Sequence, residues 1–133
     1  MAKGYVQNIE KLTEDNPNFR KVLYTSHETQ LVVMSLKPNE EIGMETHPEN
    51  DQFIRVEEGK GKAIIDGNPY NFESGYCVII PKGSKHNIVN TSETQELKLY
   101  TLYSPPHHRL DVVHKTKKDA EKDDEDFDGE TNE

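Results

Sequence analysis

GYCVIIPKGSKHNIVN, residues 75–90, is the stretch whose reading decides the fold. YCVII (76–80) and HNIVN (86–90) are short runs rich in β-branched residues, and PKGSK (81–85) between them carries turn chemistry. Pro81 has no N–H to give to a ladder and so ends the first run, while Gly83 permits a tight turn after it. His86 then opens the next strand.

About thirty residues upstream, EIGMETHPENDQF (41–53) collects Glu45, His47 and Gln52, three groups able to bind a metal. Glu45 and His47 are two apart, so on an extended strand they share a face. That spacing alone also fits a polar edge or loop that happens to contain a histidine. The rest of the chain has to decide between the two readings.

Working outward, FRKVLYT (19–25) and QLVVMSL (30–36) flank SHET and read as a hairpin. KPNEE (37–41) breaks the chain. QFIRVEEG (52–59) alternates, with Gln52, Ile54 and Val56 on one face. KAII runs into DGNP, and Asp-Gly is the strongest short hairpin signal present. ELKLYTLYS (96–104) is a last long strand, stopped by Pro105 and Pro106. Nine or ten short strands separated by turns argue for an all-β sandwich or barrel. KTKKDAEK (115–122) is the one helical candidate, too short and polar to carry a fold.

The chain of 133 residues suits one domain with its own core. Its net charge of -9 is unevenly spread: residues 119–133 hold nine acidic side chains and one lysine, leaving sixteen acidic and fifteen basic groups before them. The folded part is therefore nearly neutral, which argues against a nucleic-acid surface. Residues 1–118 are read as the barrel with its N-terminal strands, and 119–133 as an acidic, disordered tail. A single cysteine, Cys77, excludes an internal disulfide and fits a reducing compartment. The first residues lack the apolar core of a signal peptide, and no apolar run approaches a bilayer span. The expectation is a cytoplasmic protein that engages neither membrane nor nucleic acid.

Two motif spacings now coincide. Gly75 is followed by five residues, Pro81, one residue, Gly83, two residues, His86, three residues and Asn90. This is the second cupin motif at every defined position. Upstream, Asn39, five residues, Glu45-Thr46-His47, four residues, Gln52, six residues and Gly59 keep the spacing of the first motif. Three identities differ from it: Asn39 for Gly, Glu45 for the first His and Gln52 for Glu. Over about residues 5–120 the chain resembles the small single-domain bacterial cupins, and more closely their mannose-6-phosphate isomerase-like group.

That resemblance implies an RmlC-like double-stranded β-helix, a jelly-roll barrel with a short C-terminal helix. It implies a divalent cation (Mn, Zn, Fe or Ni) held inside the barrel by Glu45, His47, Gln52 and His86. Two neutral imidazoles, one carboxylate and one amide carry a charge of -1, and the oxygen-rich set leans toward harder ions. A metal-dependent, isomerase-like enzyme on a small polar substrate, such as a sugar or sugar phosphate, follows, with Glu45 as the group that moves the proton. A non-catalytic metal- or sugar-binding module and a cupin dioxygenase stay open as alternatives. Pairing His47 with Glu49 instead would move the frame away from Asn39, and Pro48 fits a strand end better than its middle. The resemblance also implies a homodimer built through N-terminal strands.

Other groups are read more plainly. His107, His108 and His114 follow the last strand and are expected in a surface loop over one barrel end, or with one of them acting as a lid or acid–base group. His27 is expected to be solvated, Cys77 to lie in the core, and Tyr100 and Tyr103 to pack there. Arg55 and Lys85 are expected to point outward or sit in a turn, so neither is a phosphate clamp.

Overall fold

Alternation of apolar and polar residues at a period of two produces the strands, and the turn residues cut them. The computed structural model describes residues 3–133. Helix α1 (Ile9–Glu14) precedes strands β1 (Arg20–Thr25), β2 (Gln30–Leu36), β3 (Glu45–Thr46), β4 (Asp51–Glu58) and β5 (Lys60–Ile65). Strands β6 (Asn68–Glu73), β7 (Cys77–Ile80), β8 (Lys85–Asn90), β9 (Leu97–Ser104) and β10 (Val113–His114) follow, then helix α2 (Lys117–Lys122). The strands form a six-stranded antiparallel sheet, β10-β1-β2-β9-β4-β7, facing a four-stranded one, β3-β8-β5-β6. This is the all-β jelly-roll barrel with the expected short C-terminal helix.

The core lies between the sheets. Val32, Met34 and Leu36 of β2, Ile54 and Val56 of β4, and Leu97, Leu99 and Tyr103 of β9 meet Ala63, Phe72 and Ile88 of the facing sheet. Each fully buried Leu, Ile, Val or Phe contributes about 1.5–3 kcal/mol through removal from water. Asp66 and Gly67, the Asp-Gly turn between β5 and β6, both adopt positive φ (48° and 84°), as a type I′ hairpin demands.

The changed motif positions are explained locally. Asn39 stands where the motif expects glycine and has φ 63°, a left-handed conformation that asparagine tolerates better than most residues. Gly59 keeps its identity because a Cβ there would meet Glu96 O at 2.6 Å. Asn90 is 1% exposed, and its Nδ2 donates to the carbonyls of Leu36, Lys37 and Gln95 while its Oδ1 accepts from Ser92 N–H. Its place in the motif is thus structural: it ties the end of β8 to the end of β2. The turn at Gly83 donates its N–H to His47 O at 2.8 Å, joining the two motifs directly.

Four expectations need correction. Helix α1 was not foreseen; Asn8 caps it by accepting from Lys11 N–H, but six residues are too few to give a clear period. Cys77 is exposed, because β7 is a sheet edge and the cysteine lies on its outward face. His108 and His114 are buried, at 5% and 3% exposure, so the segment after β9 is no simple surface loop. The 119–133 segment, expected as a disordered tail, runs back over the barrel. Glu125 Oε1 lies 2.6 Å from His108 Nδ1, Phe127 N–H donates to His107 O, and Asn132 N–H donates to Thr25 O. A run of like charges need not be solvated throughout when single carboxylates find basic partners, and Asp123 and Glu125 do so at His114 and His108.

Candidate metal centre

The register of the four-stranded sheet assembles the first donors. Glu45 of β3 lies directly opposite His86 of β8, so their side chains share a face. His47 lies two residues beyond Glu45 and returns to the same side. One ligand atom from each of Glu45, His47 and His86 lies within 4.8 Å of the others. His47 and His86 are buried, at 5% and 3% exposure, and Glu45 is half-buried.

The orientation of each donor is set by its neighbours. Ser84 O accepts from His86 Nδ1 at 2.9 Å, so Nδ1 carries the proton and Nε2 is the free lone pair. His47 Nε2 is 3.0 Å from Glu45 Oε2, yet it is buried without a well-formed hydrogen bond. Two polar atoms brought close without a good mutual bond are what a shared cation would reconcile. Burial pushes the Glu45 carboxyl up. His47 beside it, with Arg20 and His86, outweighs this and holds the pKa below the ordinary value.

Gln52 enters from the facing sheet, not from a strand beside β3. It lies on β4 opposite Tyr103, whose ring centroid is 5.7 Å from that of His47. Gln52 is 4% exposed; its Nε2 donates to Thr101 Oγ1 at 3.1 Å, and its Oε1 is buried with no partner. An orphaned amide oxygen in the barrel interior fits a neutral oxygen ligand. Glu45, His47 and His86 together fit a divalent cation.

Residues beyond the four proposed ligands also surround the centre. The His107 ring sits 4.2 Å from His47 and 5.3 Å from Tyr103. Burial, reinforced by His108 and His47, pushes His107 down to about 4. Burial holds the Tyr103 phenol well above its ordinary pKa. His108 is fixed by Glu125, whose other oxygen accepts from Arg109 N–H at 2.7 Å, and by Gln30, which bonds both its N–H and its carbonyl. Burial lowers the His108 pKa against the pull of Glu125. Arg20 is 7% exposed. The available signal for His107 and His108 was only their adjacency after Pro-Pro. For Arg20 there was none, since either face of FRKVLYT reads equally apolar. His27 is exposed and Arg55 is partly exposed, as expected.

Comparison with known proteins agrees with this architecture. Residues 32–103 match the cupin domain. A Bacillus halodurans crystal structure superimposes with a TM-score of 0.89 at 38% identity, covering 91% of this chain and 96% of that one. An uncharacterised protein of Acanthamoeba polyphaga mimivirus is 48% identical over 107 residues, covering 78% of this chain and 67% of its own length. YrkC, an uncharacterised protein of Bacillus subtilis, is 41% identical over 124 residues, covering 89% and 66%. The chain thus spans about two thirds of the length of these two relatives. No helix of the described residues is long and apolar enough to cross a membrane.

Proposed function

The chain belongs to the cupin family, and from that membership we propose a metal-binding cupin that acts on a small polar substrate at Glu45, His47, Gln52 and His86. The observation that carries the reading is the convergence of Glu45, His47 and His86 within 4.8 Å, two of them buried imidazoles. A bound Mn, Zn, Fe or Ni ion would supply Lewis-acid polarisation of a carbonyl or hydroxyl oxygen. Glu45 has a carboxylate oxygen with which to hold or move a proton. His107, pushed down to about 4, is neutral near pH 7 and offers a lone pair next to His47. Tyr103 stays a phenol and closes that side. An isomerase-like reaction on a sugar or sugar phosphate suits this set.

A second reading, binding without turnover, is favoured by Gln52, because an amide is a weak ligand and lets the metal exchange. We place the protein in the cytoplasm as a homodimer. Tyr70, Tyr76 and Ile79 stand 50–64% exposed at the uncovered edges formed by β6 and β7, and a second copy covering this surface would pair there rather than through the N-terminal strands that the resemblance implies.

The test is metal analysis of protein purified without chelator, alongside His86→Ala, followed by a substrate screen. One divalent ion per chain in the wild type and a loss of at least tenfold in affinity in the variant are expected. Wild type that takes up none of the four ions on titration ends the metal reading. Aldose–ketose interconversion supports the isomerase, and metal-dependent sugar binding without turnover supports the module.

A further inference from the structure

Arg20 is the buried arginine of this chain, and it lacks the partner a buried guanidinium needs. Arg55 and Arg109 are more exposed, and each has a carboxylate at 3.5 Å. Arg20 is 7% exposed, yet among the described residues no carboxylate reaches salt-bridge distance of it. Its Nε is buried with no hydrogen-bond partner. The contacts it has are the face of Phe19, at 5.3 Å from the ring centroid, and His114 Nδ1, at 3.4 Å from its NH1 group. His114 gives its Nε2 proton to Asp123 at 2.9 Å, so Nδ1 can accept from Arg20, but this neutral ring does not cancel the charge. A buried cation left in this state is costly, and arginine's fork of donors is the usual match for a planar oxyanion.

Arg20 also has somewhere for an oxyanion to sit. It shares a recess of about 160 Å³ with Phe19, Ile42, Glu45 and the helix α2 residues Lys117, Ala120 and Glu121. One wall of the recess is therefore a member of the candidate metal centre, and a second wall brings another cation, Lys117, together with the carboxylate of Glu121, so the oxyanion must take the side of the recess formed by Arg20 and Lys117. Lys117 makes no salt bridge among the described residues.

We propose that the recess between Arg20, Lys117 and Glu45 binds the oxyanion of a small acidic ligand, so that the molecule taken at this centre carries a carboxylate or phosphate. This names the substrate class of the site proposed above, and it rests on that reading only for the ligand's other end. The anion subsite stands on Arg20 whether or not a metal binds.

The experiment uses the full chain, metal-free, titrated calorimetrically with malonate, its neutral diamide malonamide, and inorganic phosphate. Malonate or phosphate is expected to bind, malonamide is not, and whichever oxyanion binds more tightly names the source of the charge. Arg20→Gln is expected to weaken oxyanion binding at least tenfold, with Arg20→Lys recovering part of it. Because a buried substitution can impair folding, the wild-type protein gives an independent readout: the Arg20 Nε–H resonance must move on saturation with the oxyanion. Lys117→Glu, on the partly exposed wall, is expected to weaken binding as well. A still resonance, equal affinity in folded Arg20→Gln, equal binding of malonamide, or no binding by either oxyanion overturns the proposal. A separate Mn²⁺ titration of wild type and Arg20→Gln keeps the two readings apart. Absence of Mn²⁺ binding to wild type defeats the metal reading alone, while the oxyanion titrations still decide the recess.

Discussion

Gln52 is the position at which a single side chain reports most about the centre. Its Oε1 is buried and unpartnered, while its Nε2 is held by Thr101, so the amide is fixed with its oxygen free. Gln52→Glu is expected to tighten Mn²⁺ or Zn²⁺ binding about tenfold, roughly 1.4 kcal/mol, by adding a formal charge at the cation. It also brings the ligand charge to -2 and so reduces the metal's pull on a substrate oxygen. Affinity and activity should therefore separate in this variant, and equal metal affinities by calorimetry would remove Gln52 from the ligand set. Asn90 sets the contrast of a motif residue with no chemical role. Asn90→Ala leaves three carbonyls without their donor, that of Leu36 buried, and is expected to cost about 1–3 kcal/mol. Metal affinity per folded molecule should not change, which a denaturant melt and a titration would check together.

At the scale of elements, the segment after β9 is where charge pattern and structure part company. Glu125 is 3% exposed at its side chain, with one oxygen on His108 and the other on Arg109 N–H. Those two bonds, with His108, hold its pKa at about 2 although burial alone would raise it. The folded pKa is thus depressed below the ordinary value near 4.5. Stability from the Glu125 carboxylate is fully present above about pH 4.5 and is lost as pH falls toward 2. Glu125→Gln is accordingly expected to melt below wild type at pH 7, by about 1–3 kcal/mol, and the gap is expected to narrow below pH 4.5. A gap that stays constant from pH 7 to pH 3 would show that the carboxylate charge contributes nothing. The 119–133 segment and the barrel strands need not melt together, since the segment's contacts with the barrel are largely polar.

For the molecule as a whole, the two sheets close on one core but leave β6 and β7 as uncovered edges. Strand β7 reads CVII, with no charge or proline to discourage pairing, and Ile79 is 64% exposed on it. If this edge is the dimer surface, Ile79→Lys should leave the fold and metal affinity intact and convert the dimer to a monomer in light scattering. A wild-type monomer at high concentration, or a variant that remains dimeric, would place the edge outside any such interface.

The barrel was legible in the chain because strand periodicity and turn chemistry are local. Asp66-Gly67, Pro81 and the alternation of Gln52, Ile54 and Val56 each act within a few residues, and the spacing of Glu45, His47 and His86 follows from the strands they ride on. Three kinds of fact were not local. Which face of β1 turns inward, and so that Arg20 is buried, depends on β1 pairing with the distant β10, where Arg20 meets His114. The exposure of Cys77 depends on β7 having no neighbour on its outer side. The meeting of Glu125 with His108 joins residues 17 apart in sequence through a path across the barrel, which composition reads as mere repulsion. Periodicity determines which residues can share a face; only the closed structure determines what that face meets.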